Sequence, residues 1–276
     1  MVRIINPSAK IVDYGPEIIT ESGEVIVPDH VVRRAGLITF KDADVFAEMI
    51  ETGRDDDPEK VLESIIRSTG SGHASLTTTE AFWAFIGGDC SKMVDSVFTP
   101  AVYGSSLMPS GRRIPIKKEN IVVPKSIADD SRALSLYMRT SEANIDAYET
   151  LMGRKVLKEE AAKVVQYGHK GGGFTLVPLE TFIYFARAFE AEPEATPGEA
   201  REIVAQLEKQ VHKIGMGMNY EARKAAPRAT LPSPKIFTFR ENQAHHLTER
   251  HLEELVAGPM LLEIRCDESP ERDARI

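Results

Sequence analysis

The chain has 276 residues and a formal net charge of −8, with 42% hydrophobic and 28% charged residues. It is long enough to bury a sizeable core, and its acidic balance excludes a general nucleic-acid or anionic-membrane binder, which needs a basic face. Two cysteines, Cys90 and Cys266, make neither a disulfide framework nor a zinc cluster. No run approaches eighteen apolar residues and the N-terminus "MVRIINPSAKIVDYG" has no apolar signal core, so the expectation is a cytoplasmic protein with no membrane partner.

The first forty residues read as extended segments and turns, with "EVIVP" (24–28) as a strand ended by proline. "FKDADVFAEMIETG" (40–53) and "DDPEKVLESIIRSTG" (56–70) each place apolar residues at helical spacing before a glycine stop. In the second, Asp57 is a candidate cap and Pro58 suits the first turn. "SGHASLTTTEAFWAFI" (71–86) then changes to strand composition, with threonines and aromatics closed by Gly87 and Gly88. "SKMVDSVF" (91–98) reads as a short helix. "TPAVYGSSLMPSGRRIP" (99–115), with three prolines, reads as an irregular loop.

The second half is predominantly helical. Residues 126–155 keep Leu134, Leu136, Tyr137, Ile145, Tyr148, Leu151 and Met152 on one side. A short helix over 158–168 ends at glycine, and 176–191 is apolar nearly all round, as a buried helix would be. Residues 196–214 form an amphipathic helix, and the proline-rich 226–237 reads as an exit linker. The tail 248–265 reads as one further helix and strand. The fold class expected is α/β (α+β), with one domain over 1–240 and a C-terminal extension over 241–276.

Several stretches carry candidate chemistry. "SGRR" offers the Ser110 hydroxyl, backbone amides around Gly111 and a forked guanidinium from Arg112 or Arg113 to a phosphate; the alternative is two arginines on a surface loop. "GHKGGGF" (168–174) lacks the spacing of a phosphate loop, so its glycines make either a wide turn between helices or a bare backbone beside a ligand. "HHLTERH" (245–251) has its histidines at a poor spacing for zinc. Cys90 with His73 or His169 would be a nucleophile and base if the fold united them; otherwise Cys90 is core. In the 71–86 stretch, His73 and Ser75 either line a pocket at a helix-to-strand junction or belong to a polar strand entrance.

Taken together, Gly72-His73-Ala74-Ser75 followed by an aromatic strand, Ser110-Gly111-Arg112, and "KEEAAKVVQYGHKGGGFTLVPLETFIYFARAF" (158–189) resemble the flavin-dependent thymidylate synthases over roughly residues 20–225. The family's Glu-His pair is replaced by Thr78 and Thr79. Its Arg-His-Arg triplet falls on Pro100-Ala101-Val102 counted back from Ser110, or on Phe98-Thr99-Pro100 counted from His73, and neither register keeps an arginine or histidine. Its polar Asn and Arg become Pro178 and Glu180.

The resemblance implies a central mixed or antiparallel sheet and a flavin-dependent thymidylate synthase-like fold. It implies FAD near His73 and Ser75, with a pyrimidine-nucleotide phosphate at Ser110, Gly111, Arg112 and Arg113. NADPH and methylenetetrahydrofolate would be co-substrates if the family's methyl transfer is retained, and no metal is called for. The assembly implied is a homotetramer, or a mixed oligomer in which this chain is a catalytically inactive paralogue of an active relative. A third reading repurposes the pocket, with His73, His169 or Lys170 as acid or base.

Overall fold

The computed structural model describes residues 2–20, 23–38, 44–52, 56–71, 74–98, 104–108 and 116–226. In chain order the elements are β1 (Arg3–Ile4), β2 (Asn6–Gly15), β3 (Ile18–Ile19), β4 (Val25–Ile26), α1 (Pro28–Leu37), α2 (Asp44–Thr52), α3 (Pro58–Ser68) and β5 (Ala81–Asp89). There follow α4 (Lys92–Phe98), β6 (Ser105–Leu107), β7 (Val122–Val123), α5 (Lys125–Ala128), α6 (Ser131–Gly153), α7 (Lys158–Ala161), β8 (Gly173–Pro178), α8 (Leu179–Ala191), α9 (Gly198–Val211) and α10 (Gly217–Ala225). The protein is thus a mixed α/β chain with a mainly helical second half, as expected. Among the described residues no helix is long and apolar enough to cross a membrane.

The chain forms two compact units: Met1–Tyr14, Ala81–Pro178 and Phe189–Val211 in the first, and Gly15–Glu80, Leu179–Ala188 and His212–Ile276 in the second. The first unit holds a four-stranded sheet of order β2-β5-β8-β6. β8 runs antiparallel to both β5 and β6, with Phe85 opposite Phe174 and Leu107 opposite Phe174 on its other side. Period-two alternation turns Phe82, Ala84, Ile86, Thr175 and Val177 inward, where all are buried. The free edge of β2 is sealed by α9: Gln206 and Gln210, one turn apart, accept from the Ala9 and Ile11 amides (2.8 and 2.9 Å) and donate to the Pro7 and Ala9 carbonyls (3.0 and 2.9 Å). An exposed strand edge is thereby satisfied by side chains rather than left to pair with another chain.

Beside the sheet, β1 pairs parallel with β7. The α6 helix packs Ile145 and Tyr148 onto Ile116, Ile121 and Val123, with Leu134, Tyr137, Leu151 and Met152 around them. Leu136 departs from the expected stripe and is 56% exposed. The single helix expected over 126–155 is two, because Asp130 caps a new start by accepting from the amides of Arg132 and Ala133 at 2.8 and 3.2 Å.

Among its described residues the second unit is helical apart from the β3–β4 hairpin, and one of its core clusters joins Ile26, Val31 and Met49, with Ile18 and Phe46 against them. Three expectations are corrected here and in the first unit. Pro28 does not end a strand but opens α1, a first-turn position that needs no amide hydrogen. Residues 74–79 are turns, so the strand starts only at Ala81. The apolar run from 176 is not one helix: β8 ends at Pro178 and α8 begins at Leu179. The linker at 226–237, apart from Ala226, and the tail helix and strand at 248–265 lie outside the described residues.

Candidate functional site

The turn after Gly72-His73 explains the cluster of threonines. Thr78 and Thr79 donate their hydroxyls to the carbonyls of Ser75 and Leu76, at 2.9 and 2.7 Å. Thr77, fully buried, shares its hydrogen between the Ala74 carbonyl (3.0 Å) and Glu180 Oε2 (2.5 Å). Hydroxyls that bond the backbone three residues back compete with strand pairing, and here they win. Ser75 is exposed on this turn, while His73 lies outside the described residues.

Glu180 fixes the turn from the other side. Its amide donates to the Thr77 carbonyl at 3.0 Å. Its carboxylate receives Arg223 in a fork, Nη2 to Oε1 at 2.8 Å and Nε to Oε2 at 3.0 Å. Next to it, Glu80 accepts from Asn219 Nδ2 at 3.0 Å, and Thr69 donates to Asn219 Oδ1 at 2.9 Å. Asp29, near the start of α1, accepts from the amides of Met218 and Asn219 at 2.7 and 2.9 Å and so caps α10. At the far end of α10, Arg187 Nη2 donates to the carbonyls of Lys224 and Ala226, at 2.9 and 3.1 Å.

Two acids meet in this interior. Burial raises Glu80 well above the ordinary carboxylate range, and the neighbouring Asp29 charge raises it further. Burial raises Asp29 too, against the pull of the Asn219 and Met218 amides. With both raised and Glu80 raised the more, the directions favour a proton on Glu80, whose Oε2 meets no donor among the described residues, while Asp29 accepts from the Met218 and Asn219 amides.

Asp29 also lines a cleft of about 620 Å³ with His30, Leu62, Ile66, Met218 and Ala222 on its walls and His212 bonded to Glu221 at 3.0 Å. That volume suits a small ligand. Its lining contains no lysine or arginine, so among the described residues it is not a phosphate pocket.

The second candidate cluster lies in the first unit around "GHKGGGF". Its glycines are required by protein packing. A Cβ on Gly171 would meet the Ser91 carbonyl at 2.5 Å, one on Gly172 the Ile86 carbonyl at 2.6 Å, and one on Gly173 the Leu107 carbonyl at 2.5 Å. Gly172 also has φ +95° and donates its amide to Asp95 Oδ1 at 2.8 Å. The wide turn between helices is therefore a turn from the α7 region into strand β8, and its bare backbone faces other backbone.

Lys170 reaches Asp89 at 3.4 Å, an aspartate also held by Arg3 at 3.0 Å. His169 is half-buried, and burial followed by the Lys92 charge lowers its pKa, so its imidazole is neutral at pH 7. Its Nε2 has no hydrogen-bond partner among the described residues. Ser91 gives its amide (2.7 Å) and hydroxyl to Glu199.

Cys90 is core. Burial and the charges of Glu199 and Asp95 push its thiol up to about 11, the opposite of an activated nucleophile. Ser110, Gly111, Arg112 and Arg113, like the histidines of 245–251, lie outside the described residues, and among the described residues no group of side chains could hold a metal.

No family model and no curated protein matches the sequence. Solved structures do. The crystal structure of the UMP/dUMP methylase PolB from Streptomyces cacaoi bound with 5-Br dUMP aligns with a TM-score of 0.63 at 14% identity, covering 82% of this chain and 98% of that one. PolB bound with 5-Br UMP aligns with a TM-score of 0.58, also at 14% identity, covering 81% and 96%. The chain shares the fold of PolB. At this identity the likeness is one of architecture, and it spans nearly the whole of the methylase.

A flavin was implied by Gly72-His73-Ala74-Ser75. The described part of that segment, "ASLTTTE", contains no lysine or arginine, and Ser75 is its one exposed serine. The Thr77–Thr79 hydroxyls are spent on Ala74, Glu180, Ser75 and Leu76. These described residues do not by themselves form a flavin-phosphate site. In the sequence Glu180 stands out only as a replacement for a family arginine, and nothing marks the buried Glu80, Asn219 and Arg223, because 43 to 139 positions separate the partners.

Proposed function

We propose that this chain is a pyrimidine-nucleotide-binding protein on a nucleotide-methylase scaffold, with methyl transfer to the pyrimidine as its reaction class. The observation that carries the reading is the match to 98% of PolB, a UMP/dUMP methylase whose structures hold 5-Br dUMP and 5-Br UMP. Ser110, Gly111, Arg112 and Arg113 are the proposed phosphate contacts, since two guanidiniums beside a small hydroxyl and a glycine suit a dianion. His73 and Ser75 are proposed to meet FAD, with NADPH and methylenetetrahydrofolate as co-substrates. Bound flavin would supply redox chemistry for the transferred carbon. The chain's described contribution is a rigid platform, the Thr77–Glu180–Arg223 latch that fixes the turn following His73.

Titration calorimetry of the purified protein with 5-bromo-dUMP, dUMP and UMP tests the binding, and its visible spectrum tests the flavin. Saturable binding of at least one of these nucleotides supports the reading. A colourless protein that ignores all three sinks it.

A second reading has its own observation: neither register of the Arg-His-Arg triplet keeps a cation. Loss of three charged or imidazole donors removes contacts of ~1.5–3 kcal/mol each. On that reading the chain binds nucleotide but serves as a non-catalytic subunit of an active relative. Co-purification with a protein carrying an intact triplet favours it, and methylation of dUMP or UMP by the protein alone rules it out.

A further inference from the structure

The cleft beside Asp29 has an apolar side that no described residue covers. On α3, Val61 and Ile65 are buried, whereas Leu62 and Ile66, one helical turn apart, are 44% and 55% exposed. They line the cleft together with Met218 and Ala222 of α10. Its charged lining is acidic: Asp29 and Glu221 stand there without a lysine or arginine, and His30 and His212 are the other titratable groups. The Asp29 carboxylate is taken up by the Met218 and Asn219 amides. Glu221, bonded to His212 and 60% exposed, is the carboxylate within reach of a cation from outside.

The described chain ends at this same cleft. Ala225, the last residue of α10, belongs to its wall, and Arg187 Nη2 holds the Ala226 carbonyl at 3.1 Å, which fixes the point of departure. The sequence that follows, "PRATLPSPKIFTFR" (227–240), carries Arg228, Lys235 and Arg240 and no acid, in a chain whose net charge is −8. Ile236, Phe237 and Phe239 stand between the last two cations. A basic, aromatic segment therefore leaves the fold beside an apolar cleft of acidic lining, and opposite charge selects it as the occupant. The stretch from Ala226 to Ile236 can span up to about 35 Å, ample to turn back. In an extended chain Phe237 and Phe239 point to one side about 7 Å apart. Leu62 and Ile66, on one face of a helix, are spaced by about 6 Å, so the two pairs match.

We propose that residues 235–240 fold back onto this cleft, setting Phe237 and Phe239 against Leu62 and Ile66 and a cation from Lys235 or Arg240 beside Glu221. The tether makes a weak contact sufficient. At an effective concentration of about 1 mM, an intrinsic Kd of about 0.1 mM leaves the segment docked about ten to one. The docking does not rest on the nucleotide reading, and its test needs no nucleotide.

Hydrogen exchange of the full chain, read by mass spectrometry, tests it. The amides of 235–240 should exchange about 10-fold more slowly than in a free peptide of the same sequence, the factor set by the docked ratio. Leu62→Glu and Ile66→Glu, both at exposed positions, should each restore the free-peptide rate while the circular dichroism stays native. Leu136→Glu, at an exposed position of α6, should leave the protection in place. Phe237→Ser with Phe239→Ser should remove it from the segment's side, in a variant that alters no described residue. Free-peptide exchange in the wild type overturns the proposal and leaves the cleft to a separate ligand. So does protection that both cleft variants retain, which would seat the segment elsewhere. Protection lost on dilution from about 100 to 1 µM also overturns it, because the segment in the cleft would then belong to a second copy.

Discussion

Arg223 and Glu180 form a forked ion pair in the interior, with their side chains 0% and 7% exposed. A pair so placed offsets its own desolvation only while both members are present. Arg223→Met should therefore destabilise the protein by about 3–5 kcal/mol, since it leaves the Glu180 carboxylate buried with only the Thr77 hydroxyl. Replacing both, as Arg223→Met with Glu180→Leu, should recover most of that loss. Urea unfolding of the two variants decides it: if the single and double variants are equally unstable, the pair is not what the region depends on.

The burial of Glu80 beside Asp29 gives stability a definite pH dependence. Both groups are raised in the folded protein, Glu80 well above its ordinary value of 4.5. The folded state therefore holds protons that the unfolded state releases, and stability falls as pH rises from that ordinary value toward the folded pKa of Glu80. Glu80→Gln keeps a polar group of the same size in the acid's place without titrating. Unfolding midpoints measured from pH 5 to pH 8 should decline less steeply in this variant than in the wild type. Parallel slopes would remove Glu80 as the source.

How far residues announce their role depends on whether their partners are local. The α3 start was legible, because Asp57 and Pro58 act on their own helix, and Asp57 accepts from the Glu59 amide at 3.0 Å. The turn at 74–79 was not: three threonines have strand propensity, and only their bonds to Ala74, Ser75 and Leu76 reveal the competing outcome. The β8–α8 boundary was hidden because Leu176, Val177 and Leu179 are apolar on either side of it. In the site, His169 and Lys170 stood out as chemical types beside glycines. Their surroundings, Asp89 beside Lys170 and the charges of Lys92 and Asp95 near His169, came from segments 74 to 81 positions away.

Gly172 is held by its neighbours more than by its own turn. With φ +95° and the Ile86 carbonyl 2.6 Å from any added Cβ, Gly172→Ala should cost about 2–4 kcal/mol. Gly153, with no atom within 4 Å of an added Cβ, is the control, and Gly153→Ala should be neutral or slightly stabilising. Thermal unfolding of the pair checks the contrast. A harmless Gly172→Ala would mean that the packing of β8 against β5 is looser than described.

Cys90 should be chemically silent. With its thiol at about 11, only about one molecule in a thousand carries a thiolate at pH 8. In a Cys266→Ser background, Cys90 is the sole thiol, and a maleimide should label it only after denaturation. Rapid labelling of the native protein would return Cys90 to the list of candidate nucleophiles.

The phosphate assignment makes the sharpest functional prediction. If Arg112 clamps a nucleotide phosphate, Arg112→Ala removes a charge-assisted contact of ~1.5–3 kcal/mol, and the Kd for 5-bromo-dUMP should rise about 10- to 150-fold. Arg112→Lys keeps the charge but loses the planar fork, so its Kd should fall between those of the wild type and the alanine variant. The corresponding nucleoside, which lacks the phosphate, should bind wild type and Arg112→Ala alike. Calorimetry with both ligands separates a lost phosphate contact from general damage. Equal losses for nucleotide and nucleoside would move the phosphate site away from Ser110–Arg113, while leaving nucleotide binding by this scaffold intact.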